Sequence, residues 1–230
     1  MKTTLLFLSV FLSFSLFGQS PYFFNGQEHY AQGEFQEAID DFTREIRINP
    51  DYADAYNNRG VAYKNLERYQ EAIADYTTAI KINPKDAMAY YNRGYVYDEL
   101  RKFQEAIDDY TSAIKINPDY AKAYNNRGVA YINLERYQEG IDDSNTAIKI
   151  NPDYASAYYN RALAYRKLGD NEAALADCNK SIRMKSDKSK YYWLRGNVKK
   201  SLGLAYCNDY KKACDLGEEK CCEWYYEQCR

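Results

Sequence analysis

The stretch PDYADAYNNRGVAYKNLERYQEAIADYTTAIKIN, residues 50–83, decides the fold of this chain. Shifted by 34 residues it recurs as 84–117 and 118–151, and more loosely as 152–185. The copies at 50–83 and 118–151 agree at 28 of 34 positions. A fixed period of this length indicates stacked supersecondary units instead of one closed core.

Each copy predicts two antiparallel helices. Small and apolar residues recur at helical spacing in residues 53–65 and again in 69–82. Leu66, Glu67 and Arg68 supply the short turn between them. Pro84 closes the unit, because proline cannot continue a helix. We therefore expect an all-α chain in which many of the 26 tyrosines fill the gaps between units.

The recurring order Tyr-x-x-x-Gly, Tyr, Ala, Tyr, Ala and Pro resembles the tetratricopeptide repeat family. The resemblance covers about Tyr22 to Gly217 in about six units of 34 residues. It implies a right-handed superhelical solenoid of antiparallel helix pairs, with the first helix of each unit lining a concave groove. The Asn-Arg-Gly triplets make the sequence similar to exported bacterial members of the family.

The N-terminal residues 1–18 have the layout of a secretory signal peptide. Lys2 is their only charged residue, and the apolar run that follows is short for a membrane span. We expect cleavage after Gly18, no membrane insertion of the mature chain, and a periplasmic or secreted location. An uncleaved N-terminal anchor is the alternative.

The mature chain divides into three parts. Residues 19–188 form five repeats, 189–217 a degenerate sixth repeat, and 218–230 a cysteine-rich capping helix. The sixth repeat matches the others only if two residues are deleted before its second helix. Repeat arrays need an atypical terminal element to cover the last apolar face, so this segment is the expected cap.

Composition argues against several functions. The net charge of −2 gives no field that favours nucleic acid. We find no Ser/His/Asp set and no glycine-rich phosphate loop, and His29 is the only histidine. His29 occupies the position of Tyr63 in the next unit, which predicts a packed side chain and not a catalyst. We expect no enzymatic activity, no catalytic residue, no cofactor and no metal ion.

An Arg and an Asp recur in fixed register. The Arg precedes the small residue of the first helix, and the Asp lies in the second helix. The five pairs are Arg59 and Asp75, Arg93 and Asp109, Arg127 and Asp143, Arg161 and Asp177, and Arg195 and Asp209. We predict a charge-assisted pair in each repeat, within a unit or across to its neighbour. A basic ladder for an acidic ligand is the alternative, and the accompanying Asp residues argue against it.

An asparagine recurs just before each of the first four arginines, at Asn58, Asn92, Asn126 and Asn160. In some members of the family that this chain resembles, a similar asparagine ladder holds an extended peptide by its main chain. A carboxamide offers both a donor and an acceptor, so one Asn can bracket a peptide unit. The alternative is that these side chains satisfy neighbouring helices or reflect duplication of the unit.

The other positions that the family places in the groove vary between repeats, and selectivity would reside there. The further candidates are Asn57, Tyr91, Tyr95, Lys122, Asn125, Tyr159 and Trp193. Tyr and Trp give large contact areas at low entropic cost. Their neighbours carry charges of both signs, which predicts that the ligand is not strongly charged.

The six cysteines all lie in the last part of the chain, at Cys178, Cys207, Cys214, Cys221, Cys222 and Cys229. A signal peptide and an even count favour disulfides. Cys178 occupies a core position of other repeats and could reach Cys222. A zinc site of four thiolates is the alternative.

The spacing of the remaining cysteines suggests a pairing. If the last two helices fold back on each other, Cys207 faces Cys229 and Cys214 faces Cys221 at matching heights. Cys222 is interchangeable with Cys221 in this scheme.

The sequence thus predicts a non-enzymatic protein–protein interaction scaffold. An extended or helical peptide segment of a partner protein would lie in the concave groove. The alternative is a structural or assembly component of a cell-envelope complex that acts through the convex face or the array ends. We expect a monomer, since the cysteine-rich cap should block one end.

Overall fold

The computed structural model describes residues 20–229, which are all-α, as predicted. The expected signal peptide at 1–18 lies outside the described residues. Residues 20–229 form thirteen helices and no strand. They are α1 (Pro21–Gln32), α2 (Phe35–Ile48), α3 (Ala53–Asn65), α4 (Tyr69–Ile82), α5 (Ala87–Glu99), α6 (Phe103–Ile116), α7 (Ala121–Asn133), α8 (Tyr137–Ile150), α9 (Ala155–Leu168), α10 (Asn171–Met184), α11 (Ser189–Ser201), α12 (Cys207–Asp215) and α13 (Glu219–Gln228). None of these helices is long and apolar enough to cross a membrane.

The helices fall into two compact units. Unit 1 ends at Arg101 and contains α1–α5, and unit 2 begins at Lys102 and contains α6–α13. Within each unit, every helix packs against the next along the chain. This consecutive helix-pair packing is the arrangement that the 34-residue period predicts.

The first helix of each repeat belongs to an inner layer. In unit 1, α1 contacts α3 and α3 contacts α5; in unit 2, α7 contacts α9 and α9 contacts α11. Among the described residues, no two second helices of one unit contact each other to the same extent. We refer to α1, α3 and α5 as the inner layer of unit 1, and to α7, α9 and α11 as that of unit 2.

Close approach of the two helices of a repeat depends on the sizes of two facing residues. A Cβ atom at Gly60 would lie 2.7 Å from Cε1 of the fully buried Tyr76. One repeat places Gly128 near the small Ser144. In another, Ala162 replaces the glycine and the smaller Cys178 replaces the tyrosine. Both side chains are fully buried in the same cluster. The alanine is accommodated here because the facing residue is smaller than tyrosine.

The turn between the two helices requires a left-handed backbone conformation. The residue at this register has a positive φ in all six repeats, which are spaced by 34 residues. Three of the six are glycines with φ between 69° and 88°, namely Gly33, Gly169 and Gly203. The others have φ of 58° to 60° although they carry side chains, namely Glu67, Arg101 and Glu135. This conformation disfavours residues that have a Cβ.

The C-terminal end departs from the regular repeat. Arg195 pairs with Asp209 across fourteen residues, where the other pairs span sixteen. Gly217 turns the chain with φ of 93°, and α13 then packs against α12. Trp224 of α13 contacts Tyr210 with 5.9 Å between ring centroids. The terminal helix thus covers aromatic surface at the end of unit 2.

Candidate functional site

The recurring Arg and Asp form an ion pair within four repeats, namely Arg59 with Asp75, Arg127 with Asp143, Arg161 with Asp177, and Arg195 with Asp209. Nε and Nη2 of Arg59 donate to the two carboxylate oxygens of Asp75, both at 2.7 Å. The same bidentate geometry joins Arg127 to Asp143 and Arg161 to Asp177. Burial raises the pKa of the Asp75 carboxyl, and the hydrogen bond from Arg59 opposes this shift.

Each of these arginines also reaches the preceding repeat. Nη1 of Arg59 donates to Oγ1 of Thr43 at 2.9 Å. The equivalent acceptors lie 16 residues before the arginine in other repeats, namely Thr77, Thr111, Asn145 and Asn179. The guanidinium of Arg59 also lies 5.6 Å from the ring centroid of Tyr56 and 5.8 Å from that of Tyr63. This arginine is fully engaged in holding helices together.

In the first repeat, the buried aspartate contacts other side chains. Asn25 stands at the arginine position, and the buried carboxylate of Asp41 is met by two other side chains. Nδ1 of His29 lies 2.9 Å from Asp41 Oδ2, and Nη1 of Arg44 lies 2.9 Å from Oδ1. The only histidine of the chain is therefore placed in a structural contact.

The four recurring asparagines, Asn58, Asn92, Asn126 and Asn160, are called the asparagine ladder here. Two of them join neighbouring repeats. Nδ2 of Asn92 donates to Oδ1 of Asn57 at 3.0 Å, and Nδ2 of Asn160 donates to Oδ1 of Asn125 at 2.8 Å. Asn57, Asn125 and Asn160 are buried. Part of the hydrogen-bonding capacity of these carboxamides is therefore used inside the protein.

The other two ladder members differ. Nδ2 of Asn58 donates to the main-chain oxygen of Asp54 in its own helix, at 2.8 Å. Oδ1 of Asn126 accepts from Asn125 Nδ2 at 3.0 Å. Asn58 thus makes a contact that holds no second helix, which distinguishes it from Asn92 and Asn160.

Aromatic side chains lie beside the ladder in both units. In unit 1, Nζ of Lys64 lies 5.3 Å from the ring centroid of Tyr95. Burial, followed by a hydrogen bond with Glu99, raises the pKa of Tyr95 to about 12. Tyr91 is half-buried at the register of Asn57.

In unit 2, Tyr159 stacks on Tyr191 with ring centroids 5.0 Å apart. Nζ of Lys190 lies 4.9 Å from the Tyr159 ring centroid. Burial raises the pKa of Tyr159 to about 12, and Cys178, Tyr191 and Glu218 add to the shift. Lys122 is exposed.

Trp193, another predicted groove residue, contacts the terminal helix. Its ring stacks on Trp224 of α13 at 6.4 Å, and it packs against two buried clusters. Trp193 is half-buried, and its place in the groove stays a prediction.

A recess of about 580 Å³ lies in the inner layer of unit 1. It is lined by Phe23, Gln27, Tyr52, Asp54, Asn57, Asn58, Asn83, Lys85, Asp86 and Met88. Asn57 and Asn58 are the predicted members. Tyr52 and Asn83 were missed, because they belong to connections between helices and have no place in a helical pattern.

The cysteines form two disulfides that tie α13 to α12. Cys207 is bonded to Cys229, with Cα atoms 5.6 Å apart, and Cys214 to Cys222, with Cα atoms 4.8 Å apart. Cys222 therefore takes the place that the spacing first gave to Cys221. Adjacent residues on a helix point about 100° apart, so only one of the two can face Cys214.

Cys178 and Cys221 are free thiols, and the expected link from Cys178 to Cys222 is wrong. Cys178 fills the space beside Ala162, and Cys221 packs with Tyr191 and Tyr192. Burial raises the pKa of Cys178 to about 12 and that of Cys221 to about 11. Both are inert core residues at neutral pH.

The cysteines are not arranged as the alternative zinc site requires, because four of the six are joined in disulfides. Across residues 20–229, no group of three His, Cys, Asp or Glu side chains could hold a metal ion.

Comparison with known sequences identifies the repeats. Residues 53–86, 87–120, 121–154 and 155–188 each match the family described as tetratricopeptide repeat. Residues 26–67 match the related TPR repeat. No curated protein matches this sequence.

Solved structures with similar folds support the same assignment. The structure of MamA has 26% sequence identity and a TM-score of 0.66, covering 72% of this chain and 97% of its own. YrrB, described as a TPR protein with an unusual peptide-binding site, has 18% identity and a TM-score of 0.65, covering 81% and 97%. A tetratricopeptide repeat protein from Parabacteroides merdae has 21% identity and a TM-score of 0.65, covering 89% and 96%. With four tandem repeats matched and the helix pairs packed consecutively, the chain belongs to the tetratricopeptide repeat family, whose repeats serve protein–protein interaction.

Proposed function

We propose that this protein is an exported, non-enzymatic interaction scaffold that binds a peptide segment of a partner protein on its inner layer. The observation that carries the proposal is the recess in unit 1, where Asn58 and Asn57 lie beside Tyr52 and Met88. Carboxamides suit the main chain of a peptide, and the apolar side chains suit its side chains. The two disulfides support export, since such bonds persist in oxidising compartments.

The physical basis of binding is preorganisation. The arginines, aspartates and tyrosines that lock the repeats are buried or half-buried, so the inner layer does not have to become ordered when a ligand binds. A rigid surface avoids part of the entropic cost of association. Many modest contacts along an extended or helical segment then suffice for affinity.

The test uses two double variants of the mature chain. Asn58→Ala with Tyr95→Ala changes the inner layer of unit 1, while Gln70→Ala with Lys81→Ala changes exposed positions of α4. Asn92 and Asn160 are avoided because their removal would break contacts between repeats. Partners captured from the exported fraction are quantified by mass spectrometry for the wild type and for each variant.

We expect the inner-layer variant to lose the captured partner and the α4 variant to retain it. Circular dichroism must show that both variants fold. The opposite result would support the alternative, an assembly component that acts through its outer surface.

A further inference from the structure

Charge is segregated between the two helix layers of unit 2. The inner-layer helices α7, α9 and α11 contain no acidic residue. They carry nine basic residues, namely Lys122, Arg127, Arg161, Arg166, Lys167, Lys190, Arg195, Lys199 and Lys200. This local excess of positive charge is not apparent from the net charge of −2 of the whole chain.

Four of the nine are neutralised by aspartates of the second helices. Arg127 pairs with Asp143, Arg161 with Asp177, and both Arg195 and Lys199 with Asp209. The other five have no ion-pair partner within the described part of the chain. Lys200 donates to Oε1 of Gln228 in α13, which leaves Lys122, Arg166, Lys167 and Lys190.

The inner layer of unit 1 differs in this respect. Its helices carry the acidic residues Glu28, Asp54, Asp98 and Glu99. Asp54 stands at the same register as Lys122, two repeats earlier. The excess of positive charge is therefore specific to unit 2 and is not a property of the repeat.

The unpaired cations flank polar and aromatic groups. Lys122 and Lys190 are exposed and each is the second residue of its helix. Lys190 lies over the ring of Tyr159, and Asn126 follows Lys122 by one helical turn. Arg166 lies near the C-terminal end of α9, whereas Lys122 and Lys190 lie at the N-terminal ends of their helices. An acidic residue outside these helices, Glu218, also acts on this surface, since its charge reaches Tyr159.

We propose that the inner layer of unit 2 binds an acidic segment of a partner protein, with Lys122, Lys190 and Arg166 as the cations that contact its carboxylates. This inference rests on the proposed function and specifies the chemistry of the ligand. It replaces, for unit 2, the expectation of a ligand without strong charge. Unpaired cations on helices that carry no acidic residue favour the encounter with an anionic partner and discriminate against a basic one.

A protein ligand fits this surface better than a nucleic acid. Nucleic-acid sites neutralise many phosphates, and the proteins that contain them are commonly basic overall. This chain has an overall charge of −2, and only four cations of these helices lack both an ion pair and the contact that Lys200 makes. Asn126 adds a carboxamide, which suits the main chain of a peptide.

The experiment measures the binding of short fluorescein-labelled peptides to the mature chain by fluorescence anisotropy. The probes are a peptide of alternating Glu and Ala, its Gln–Ala and Lys–Ala counterparts, and a single-stranded oligonucleotide of equal length. The protein variants are Lys122→Glu with Lys190→Glu, and a control with the same change in charge on second helices, Lys149→Glu with Lys211→Glu. Lys149 and Lys211 are both exposed.

We expect the Glu–Ala peptide to bind the wild type at least about tenfold more tightly than the Gln–Ala peptide, with affinity that falls as salt rises. The inner-layer variant should lose about tenfold in affinity and the control less than about twofold. Equal binding of the Glu–Ala and Gln–Ala peptides, equal losses in the two variants, or tighter binding of the oligonucleotide would each overturn the proposal. Any of these would leave the unit 1 capture experiment unaffected, so the two proposals fail separately.

Discussion

Arg59 and Asp75 lie sixteen residues apart and are joined by two hydrogen bonds of 2.7 Å, one to each carboxylate oxygen. Only 16% of the Arg59 side chain and 7% of the Asp75 side chain are exposed. The same pair recurs at Arg127 and Asp143. Such a pair fixes the register of two helices, and removing one partner leaves the other as a buried charge.

Replacing Arg127 with Leu should therefore destabilise the fold by about 3–5 kcal/mol, because Asp143 would stay buried without its partner. The double variant Arg127→Leu with Asp143→Leu should recover most of this loss. Urea unfolding followed by circular dichroism measures both. A single variant that is as stable as the double variant would contradict the role assigned to the pair.

Tyr76 and Tyr210 occupy the same register but differ in their hydroxyl groups. The buried hydroxyl of Tyr76 has no hydrogen-bond partner among the described residues, and burial raises its pKa. The hydroxyl of Tyr210 donates to Oδ1 of Asn197 at 3.1 Å. Tyr76→Phe should raise the free energy of unfolding by about 1 kcal/mol, whereas Tyr210→Phe should lower it by about as much. Thermal unfolding measures both variants. Equal effects of Tyr76→Phe and Tyr210→Phe on the free energy of unfolding would contradict the prediction.

The left-handed turn residues offer a second route to a more stable protein. Glu67 and Glu135 adopt φ of 58° and 60°, where Gly169 has 88°. Glu67→Gly and Glu135→Gly should each stabilise the fold by about 0.5–1 kcal/mol, because glycine adopts this conformation without steric cost. Gly169→Ala is the matched control and should lose about 1 kcal/mol. Midpoints of urea unfolding test the set, and the prediction is wrong if the glycine variants unfold earlier than the wild type.

Asp98 should make the stability of the protein depend on pH. Burial, and then the charge of Glu99, raises the pKa of Asp98 to about 6. The folded state therefore takes up a proton on this carboxyl at a higher pH than the unfolded state does. Its ionisation opposes folding above pH about 6, and this penalty disappears as pH falls towards the unfolded value of about 4.

Asp98→Asn should accordingly stabilise the protein at pH about 8 and have little effect at pH about 4. Urea unfolding over this range measures the difference. Asp51→Asn, at an exposed position of the loop before α3, is the control. A gain that is constant with pH would show that the ionisation of Asp98 is not its cause.

The two disulfides should differ in what they contribute. Cys207 and Cys229 are separated by 22 residues, and Cys214 and Cys222 by eight. Loop-closure entropy predicts a loss of about 3.4 kcal/mol when the first pair is changed to Ser and about 2.5 kcal/mol for the second. Non-reducing mass spectrometry should find two free thiols in the unfolded wild type. Four free thiols, or a larger loss from the shorter loop, would contradict the assignment.

The parts of the fold set by local spacing were predictable from sequence. A separation of sixteen residues around a short turn brings Arg59 and Asp75 to the same height on antiparallel helices. The acceptor Thr43 was missed, although a Thr or Asn recurs at its register every 34 residues. Whether this side chain reaches the arginine of the next repeat depends on the rotation between the two repeats, and the period of the sequence does not determine that rotation.

The candidate site shows the same limit. The register of Asn57 and Asn92 on the first helices was predicted, but their mutual hydrogen bond depends on the geometry between repeats. Trp193 was assigned to the groove because its register matches Tyr159, and its contact with Trp224 depends on the position of α13. The exchange of Cys221 for Cys222 likewise follows from the rotation of α13 about its axis.

The facing pairs Gly60 with Tyr76 and Ala162 with Cys178 have a consequence for how such an array can change during evolution. Each pair lies within one repeat, on either side of the turn. Recombination that exchanges whole repeats keeps both members together and leaves the packing intact. A crossover inside the turn would place the alanine of one repeat against the tyrosine of another, where a Cβ atom has no room. Duplication and loss at the Asn–Pro boundaries are thus tolerated, and the repeat is inherited as a unit.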